Sequence, residues 1–188
     1  MNERIGDFRE FTSDAGARVS LVFFPADFQV RWSQCSATAD FFAEYFAAVP
    51  ACKPADDDAR AEFVGIVSYV VNELVENAVK FSVGERVEIT VGLDEGELLV
   101  LVANNIPSTA VDTLAATFRG LLDGDPQELL FARVEENAEN PEAGGSGLGF
   151  LTMMSDYGAK IGWRFGTVQG NPNNVLLETM ARLEVKKP

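Results

Sequence analysis

Val71-Asn72-Glu73-Leu74-Val75-Glu76-Asn77-Ala78-Val79-Lys80-Phe81-Ser82 is the stretch on which the fold turns. It ends a longer run, residues 60–82, whose apolar positions Phe63, Ile66, Val67, Val70, Leu74, Ala78 and Phe81 follow the helical period. The spacing predicts a long amphipathic helix with one buried face. Glu73, Asn77 and Lys80 stand at i, i+4 and i+7. At about 100° per residue they share a stripe about 60° wide, beside the apolar arc rather than opposite it. A carboxylate, an amide and an ammonium so placed suit a general base, a magnesium ligand and a phosphate contact. Periodicity alone equally allows a solvated helix flank.

Outward from this helix the pattern changes to strands. After it, residues 86–92 and 97–103 alternate and are joined through Asp94-Glu95-Gly96 as a hairpin. Before it, residues 17–24 and 28–33 read as another hairpin around Pro25-Ala26-Asp27. Between them lies a helix capped by Ser36, with Phe41, Phe42, Tyr45, Phe46 and Val49 as a core stripe ended by Pro50. The acidic run Asp56-Asp57-Asp58 reads as a helix start, favoured by the helix dipole, in preference to a metal cluster. Helical patterns cover residues 108–122 and 126–137, and a short helix covers 148–157. A final antiparallel pair, 160–166 and 175–183, closes the chain. Strand pairs alternating with helices give an α+β two-layer sandwich, a mixed or antiparallel sheet with helices on one face.

Composition bounds the rest. The 188 residues are 47% hydrophobic and 23% charged, with no internal repeat or compositional break, so a single domain over 1–188 is expected. A net charge of −14 opposes binding to nucleic acid, where phosphate neutralisation dominates affinity, and points to a protein partner. No run is long enough to span a bilayer and the charged N-terminus does not read as a signal peptide, so a cytoplasmic protein is expected. Cys35 and Cys52 lack the spacing of a zinc site and read as reduced thiols. With no histidine, the chain holds no phosphohistidine and lacks the commonest general base.

A second motif, Gly144-Gly145-Ser146-Gly147-Leu148-Gly149-Phe150, joins a polar loop to a helix start. Glycines there let backbone N–H groups crowd an anion while the helix dipole adds positive potential, though a glycine-rich run also serves simply to turn. It lacks the lysine of a Walker loop and follows no early strand.

In this order, E-x-x-x-N-A-x-K-F-S followed by G-x-G-L-G-F resembles the N box and G2 box of the GHKL ATPases and kinases, over about residues 58–166. The resemblance implies the Bergerat fold, with residues 1–50 as an N-terminal hairpin and helix and 167–188 as a terminal strand. It implies ATP and Mg2+ as cofactors, Asn77 as magnesium ligand, Glu73 as the carboxylate that activates a nucleophile, and Lys80 as a phosphate contact. Gly145, Gly147, Leu148 and Gly149 match the G2 segment, with residues 123–142 as its lid. The departure is at the G1 box, where Val102-Ala103-Asn104-Asn105-Ile106-Pro107 puts Asn104 at an adenine-reading aspartate and Ile106 at a glycine.

Size, acidity and the missing histidine resemble the bacterial anti-sigma-factor serine/threonine kinases, which implies a small STAS-like partner-switching protein as substrate; a homodimer is compatible with this. The altered G1 segment keeps an alternative open, a degenerate GHKL module that regulates a partner by docking. An ATP hydrolase working by conformational cycling is disfavoured, because the chain shows no transducer domain.

Overall fold

The structure, a computed structural model, describes residues 3–13, 16–24, 32–83, 86–139 and 147–185. Among these, the strands are β1 (Glu3–Gly6), β2 (Arg18–Phe23), β3 (Val87–Asp94), β4 (Glu97–Pro107), β5 (Lys160–Thr167) and β6 (Asn174–Glu184). The helices are α1 (Trp32–Ala47), α2 (Asp57–Phe81), α3 (Val111–Leu121), α4 (Pro126–Glu139) and α5 (Leu148–Asp156). The six strands form one sheet in the order β1-β5-β6-β4-β3-β2, every pairing antiparallel. This is the α+β sandwich that the sequence predicts, with the sheet wholly antiparallel. No helix of the described residues is long and apolar enough to cross a membrane.

Strand alternation explains the two faces. On β4, Leu98, Val100, Val102 and Ile106 point one way and join Leu177, Ala181 and Leu183 of β6 in the main core. The ridge of α2 lies against them through Val67, Val70, Val71, Leu74 and Ala78, with Phe42 and Phe46 of α1 behind it. Among the described residues the opposite face carries the small buried cluster Phe8, Leu99 and Met180, with Phe11 and Leu101 packed on it. There the segment after β1 runs as a strap: Asp94, 2% exposed, accepts from Thr12 N at 2.9 Å and Thr12 Oγ1 at 2.6 Å.

Four expectations need correction. β2 pairs with β3, Val19 opposite Val91, instead of with residues 28–33. Of that second expected strand, residues 28–31 lie outside the described residues, while Trp32 and Ser33 open α1, so Ser36 falls inside the helix instead of capping it. The aromatic stripe of α1 is split. Phe42 and Phe46 are fully buried, but Phe41 and Tyr45 are 47% and 42% exposed, because 41/45 and 42/46 are adjacent rows of one helix and only one row meets α2. Finally, β4 runs past Ala103 to Pro107, paired with β6 throughout. The acidic run does start its helix: Asp56 is the N-cap and accepts from Ala59 N at 2.8 Å.

Candidate functional site

The buried ridge of α2 fixes the azimuth of its polar residues. Glu73 and Asn77 flank that ridge and are half-buried, so they face the junction of α2 with α5 and α3 rather than open water. Lys80, one turn further, is exposed, and its Nζ lies 5.2 Å from the centre of the Phe81 ring.

The first turn of α5 meets Glu73 directly. Gly147 is the N-cap, with φ of 102°, a left-handed conformation that glycine adopts without strain. Its carbonyl accepts from Leu151 N at 3.1 Å, the first bond of the helix. Gly149 is a glycine for a different reason: a Cβ there would collide with Glu73 Oε2 and sit 2.8 Å from Glu73 Cδ. The absent side chain is therefore what lets the carboxylate lie against the helix start. Burial, and then the charge of Glu76, push the Glu73 carboxyl above the usual carboxylate range. The helix N-terminus favours the ionised form, and burial outweighs it.

Beside this contact is a cleft. Asn77, Ala78 and Phe81 of α2 form one wall, Leu114, Thr117, Phe118 and Leu121 of α3 the other, and Gly147 and Phe150 of α5 the end. Asn104 of β4 with Leu177 and Thr179 of β6 make its floor. Its closed part is about 50 Å³, and the rest of the space opens to solvent. The described lining holds apolar groups and four neutral polar side chains, Asn77, Asn104, Thr117 and Thr179, and no ionised one. Asn104 is 3% exposed and its Nδ2 has no hydrogen-bond partner. A buried donor left unpaired costs about 1–3 kcal/mol, which a ligand in the cleft would recover.

The structure thus brings Asn77, Asn104 and Gly147 to one cleft, and Glu73 onto Gly149 at its edge. Leu148, the first residue of α5, is half-exposed and is not part of the lining. Lys80 lines a neighbouring groove with Pro107 and Thr113. Gly145 lies outside the described residues. Of the expected lid, residues 126–139 form α4, which packs against α5 and has no buried residue; Phe131 is 62% exposed. Sequence reasoning missed Thr179. Its signal was a hydroxyl at an inward position of an otherwise apolar alternation, Leu177, Thr179, Ala181, Leu183.

Asn77, Asn104 and Gly147 fit a nucleotide as a group: a helix N-terminus at one end for phosphate, and a buried, unpaired amide on an apolar floor at the other for a base. Residues 65–175 match the family model described as histidine kinase-, DNA gyrase B-, and HSP90-like ATPase, which spans more than half of the chain and contains Glu73, Asn77, Asn104 and the Gly147 turn. The fold is similar to that of a chain in the crystal structure of the SiaB-SiaC complex from Pseudomonas aeruginosa, with a TM-score of 0.59 and 15% identity over 87% of this chain and 89% of that one. No curated protein matches the chain. The chain belongs to the family of histidine kinase-, DNA gyrase B- and HSP90-like ATPases.

Proposed function

We propose that this protein binds Mg2+-ATP in the cleft, acts in the cytoplasm, and phosphorylates a serine or threonine of a small STAS-like partner-switching protein. The observation that carries this reading is the seating of the Glu73 carboxylate on the first turn of α5, beside a cleft shared by Asn77 and Gly147. ATP supplies the phosphoryl group and the metal neutralises its charge. Asn77 would offer a neutral amide oxygen to the metal, and the backbone N–H groups of Gly147, Leu148 and Gly149 at the start of α5 would offer donors to phosphate oxygens. Asn104 holds the base. Lys80, on a flexible stem at the end of α2, reaches for phosphate. Glu73 takes the proton of the partner's hydroxyl, and its raised pKa makes it a stronger base than an ordinary carboxylate. The likeness in fold to a chain crystallised in a two-protein complex supports a protein as partner, as does the charge of −14.

Radiolabelled ATP, the chain and the STAS-like protein encoded nearest its gene form the test. A labelled partner with wild type, and loss of label in Glu73→Gln, is the expected result. No label with wild type, or label undiminished in Glu73→Gln, overturns the kinase assignment. One observation favours a second reading, a docking module without turnover. Asn105, Ile106 and Pro107 stay paired with β6, and Ile106 is fully buried, so the stretch after Asn104 is built as sheet and core. Calorimetry with Mg2+-ATP separates the two, because a pure docking module shows no heat and no thermal shift.

A further inference from the structure

The reading of the cleft as a nucleotide site leaves open which base it prefers, and Asn104 speaks to that. We infer that the cleft takes guanosine triphosphate as readily as adenosine triphosphate. The inference rests on the proposed nucleotide site and deepens it.

The floor residue is a primary amide, with a donor and an acceptor side by side on one planar group. Adenine presents an amino donor next to the ring acceptor N1. Guanine presents the reverse, the O6 acceptor next to the N1–H donor. An amide matches the first with Oδ1 toward the amino group and Nδ2 toward N1. Turned by 180° about Cβ–Cγ, it matches the second equally well, and the two amide ends are so alike in size that the turn requires no repacking. A carboxylate in this seat has acceptors alone; it would accept from the adenine amino group and repel guanine O6.

Two further observations remove the usual sources of discrimination. First, no described lining residue is ionised, so no fixed charge in the cleft opposes either base edge. Second, the other polar group of the floor is the Thr179 hydroxyl, 9% exposed, which rotates between donating and accepting. The apolar walls, Leu114 and Phe118, meet the face of either purine alike. Nδ2 of Asn104 is unpartnered, so no described group pins the amide in one orientation. Sites reject an analogue strongly when a buried polar group is left unpaired by it. At the Asn104 amide neither purine leaves one.

Titration calorimetry of the full chain with Mg2+-ATP, Mg2+-GTP and Mg2+-UTP reads this out. Wild type is expected to bind ATP and GTP within about threefold of each other; UTP, whose O4 and N3–H offer the amide the same pair as guanine, is expected to bind at least about tenfold more weakly because its single ring covers less of the apolar walls. Asn104→Asp is expected to shift the ratio toward ATP by about tenfold or more, the discrimination of one good base-edge pair. Should that carboxylate prevent folding, as circular dichroism would show, Asn104→Leu serves instead; it is expected to weaken ATP and GTP by the same factor. A wild type that favours ATP tenfold or more, an unshifted ratio in Asn104→Asp, or an Asn104→Leu that weakens ATP alone overturns the inference and leaves the nucleotide site standing. UTP binding as tight as ATP also overturns it. No binding of any nucleotide removes the site itself and the inference with it.

Discussion

Gly149 and Glu73 are the two residues whose chemistry is most constrained by each other. Gly149→Ala inserts a methyl group where the Glu73 carboxyl carbon already lies 2.8 Å away, so either the carboxylate or the start of α5 must move. The carboxylate is the far end of a flexible side chain and can swing away at little cost in stability, so we expect a melting temperature little changed by thermal denaturation, together with a loss of Mg2+-ATP affinity by calorimetry. Glu73 also makes a pH prediction. Its folded pKa is raised above the ordinary value, by burial first and Glu76 second. Between the two values the unfolded chain is ionised while the folded one holds its proton, so stability falls as pH rises through that window. Glu73→Gln, which cannot ionise, is therefore expected to melt higher than wild type at pH 8, with the gap closing as the pH approaches 4. Phosphoryl transfer by wild type moves the opposite way, rising with pH through the same window as the base is freed, in a rate profile taken at fixed Mg2+-ATP. The spacing of Glu73 and Asn77 was legible in the sequence because a helix converts spacing into direction. The contact of Glu73 with Gly149 was not, since it joins two elements that no local pattern relates.

At the scale of elements, long regular pieces were legible and short ones were not. α2 and the β3–β4 hairpin announce themselves by period and turn, because each buries a full face of its own. β1 does not: it has four residues, of which only Ile5 is buried, and it is held at the sheet edge by pairing with β5. Its charged neighbours carry no strand pattern, and they tie the following strap to the outer face. Arg9 pairs with Glu95 at 2.6 Å and Arg182 with Asp7 at 3.1 Å, while Arg164 holds both Glu178 and Glu10. The pairs to the exposed carboxylates of Glu95, Asp7 and Glu10 contribute little each, about 0–1 kcal/mol, whereas Arg164 and Glu178 are mostly buried and joined by two hydrogen bonds. The buried acceptor Asp94 is different. Burial alone would raise its pKa, but two hydrogen bonds from Thr12 and the charges of Arg9 and Arg18 outweigh that and hold it below the usual carboxylate range. A depressed folded pKa gives stability that is present above the ordinary value and lost as pH falls through the depressed one. Amide exchange of residues 7–13 is expected to accelerate as pH falls below about 4, after correction for the intrinsic exchange rate. Thr12→Val leaves the Asp94 carboxylate without its side-chain donor and is expected to cost about 1–3 kcal/mol in denaturant unfolding.

At the scale of the whole molecule, the charge and the cleft pull in opposite directions. A chain with 29 acidic and 15 basic side chains repels a triphosphate at a distance, and the described cleft lining holds no cation to draw it in. Apart from Lys80 in the adjoining groove, the donors left to it are backbone N–H groups at the start of α5 and neutral amides and hydroxyls, which act only at contact. Salt treats these two contributions differently. The repulsion is long-ranged and fades as the screening length shrinks, to about 10 Å at 0.1 M and about 3 Å at 1 M, while contacts excluded from water are screened far less. Proteins that hold phosphate with lysine and arginine lose affinity as salt rises. This one is expected to do the reverse: at saturating Mg2+, the calorimetric affinity for ATP should be unchanged or higher at 0.3 M than at 0.03 M salt, and the association rate by stopped flow should rise. A steep fall in affinity over that interval would make cationic side chains, Lys80 first, the main phosphate contacts in place of the backbone amides, and Lys80→Met would then abolish most of the salt dependence.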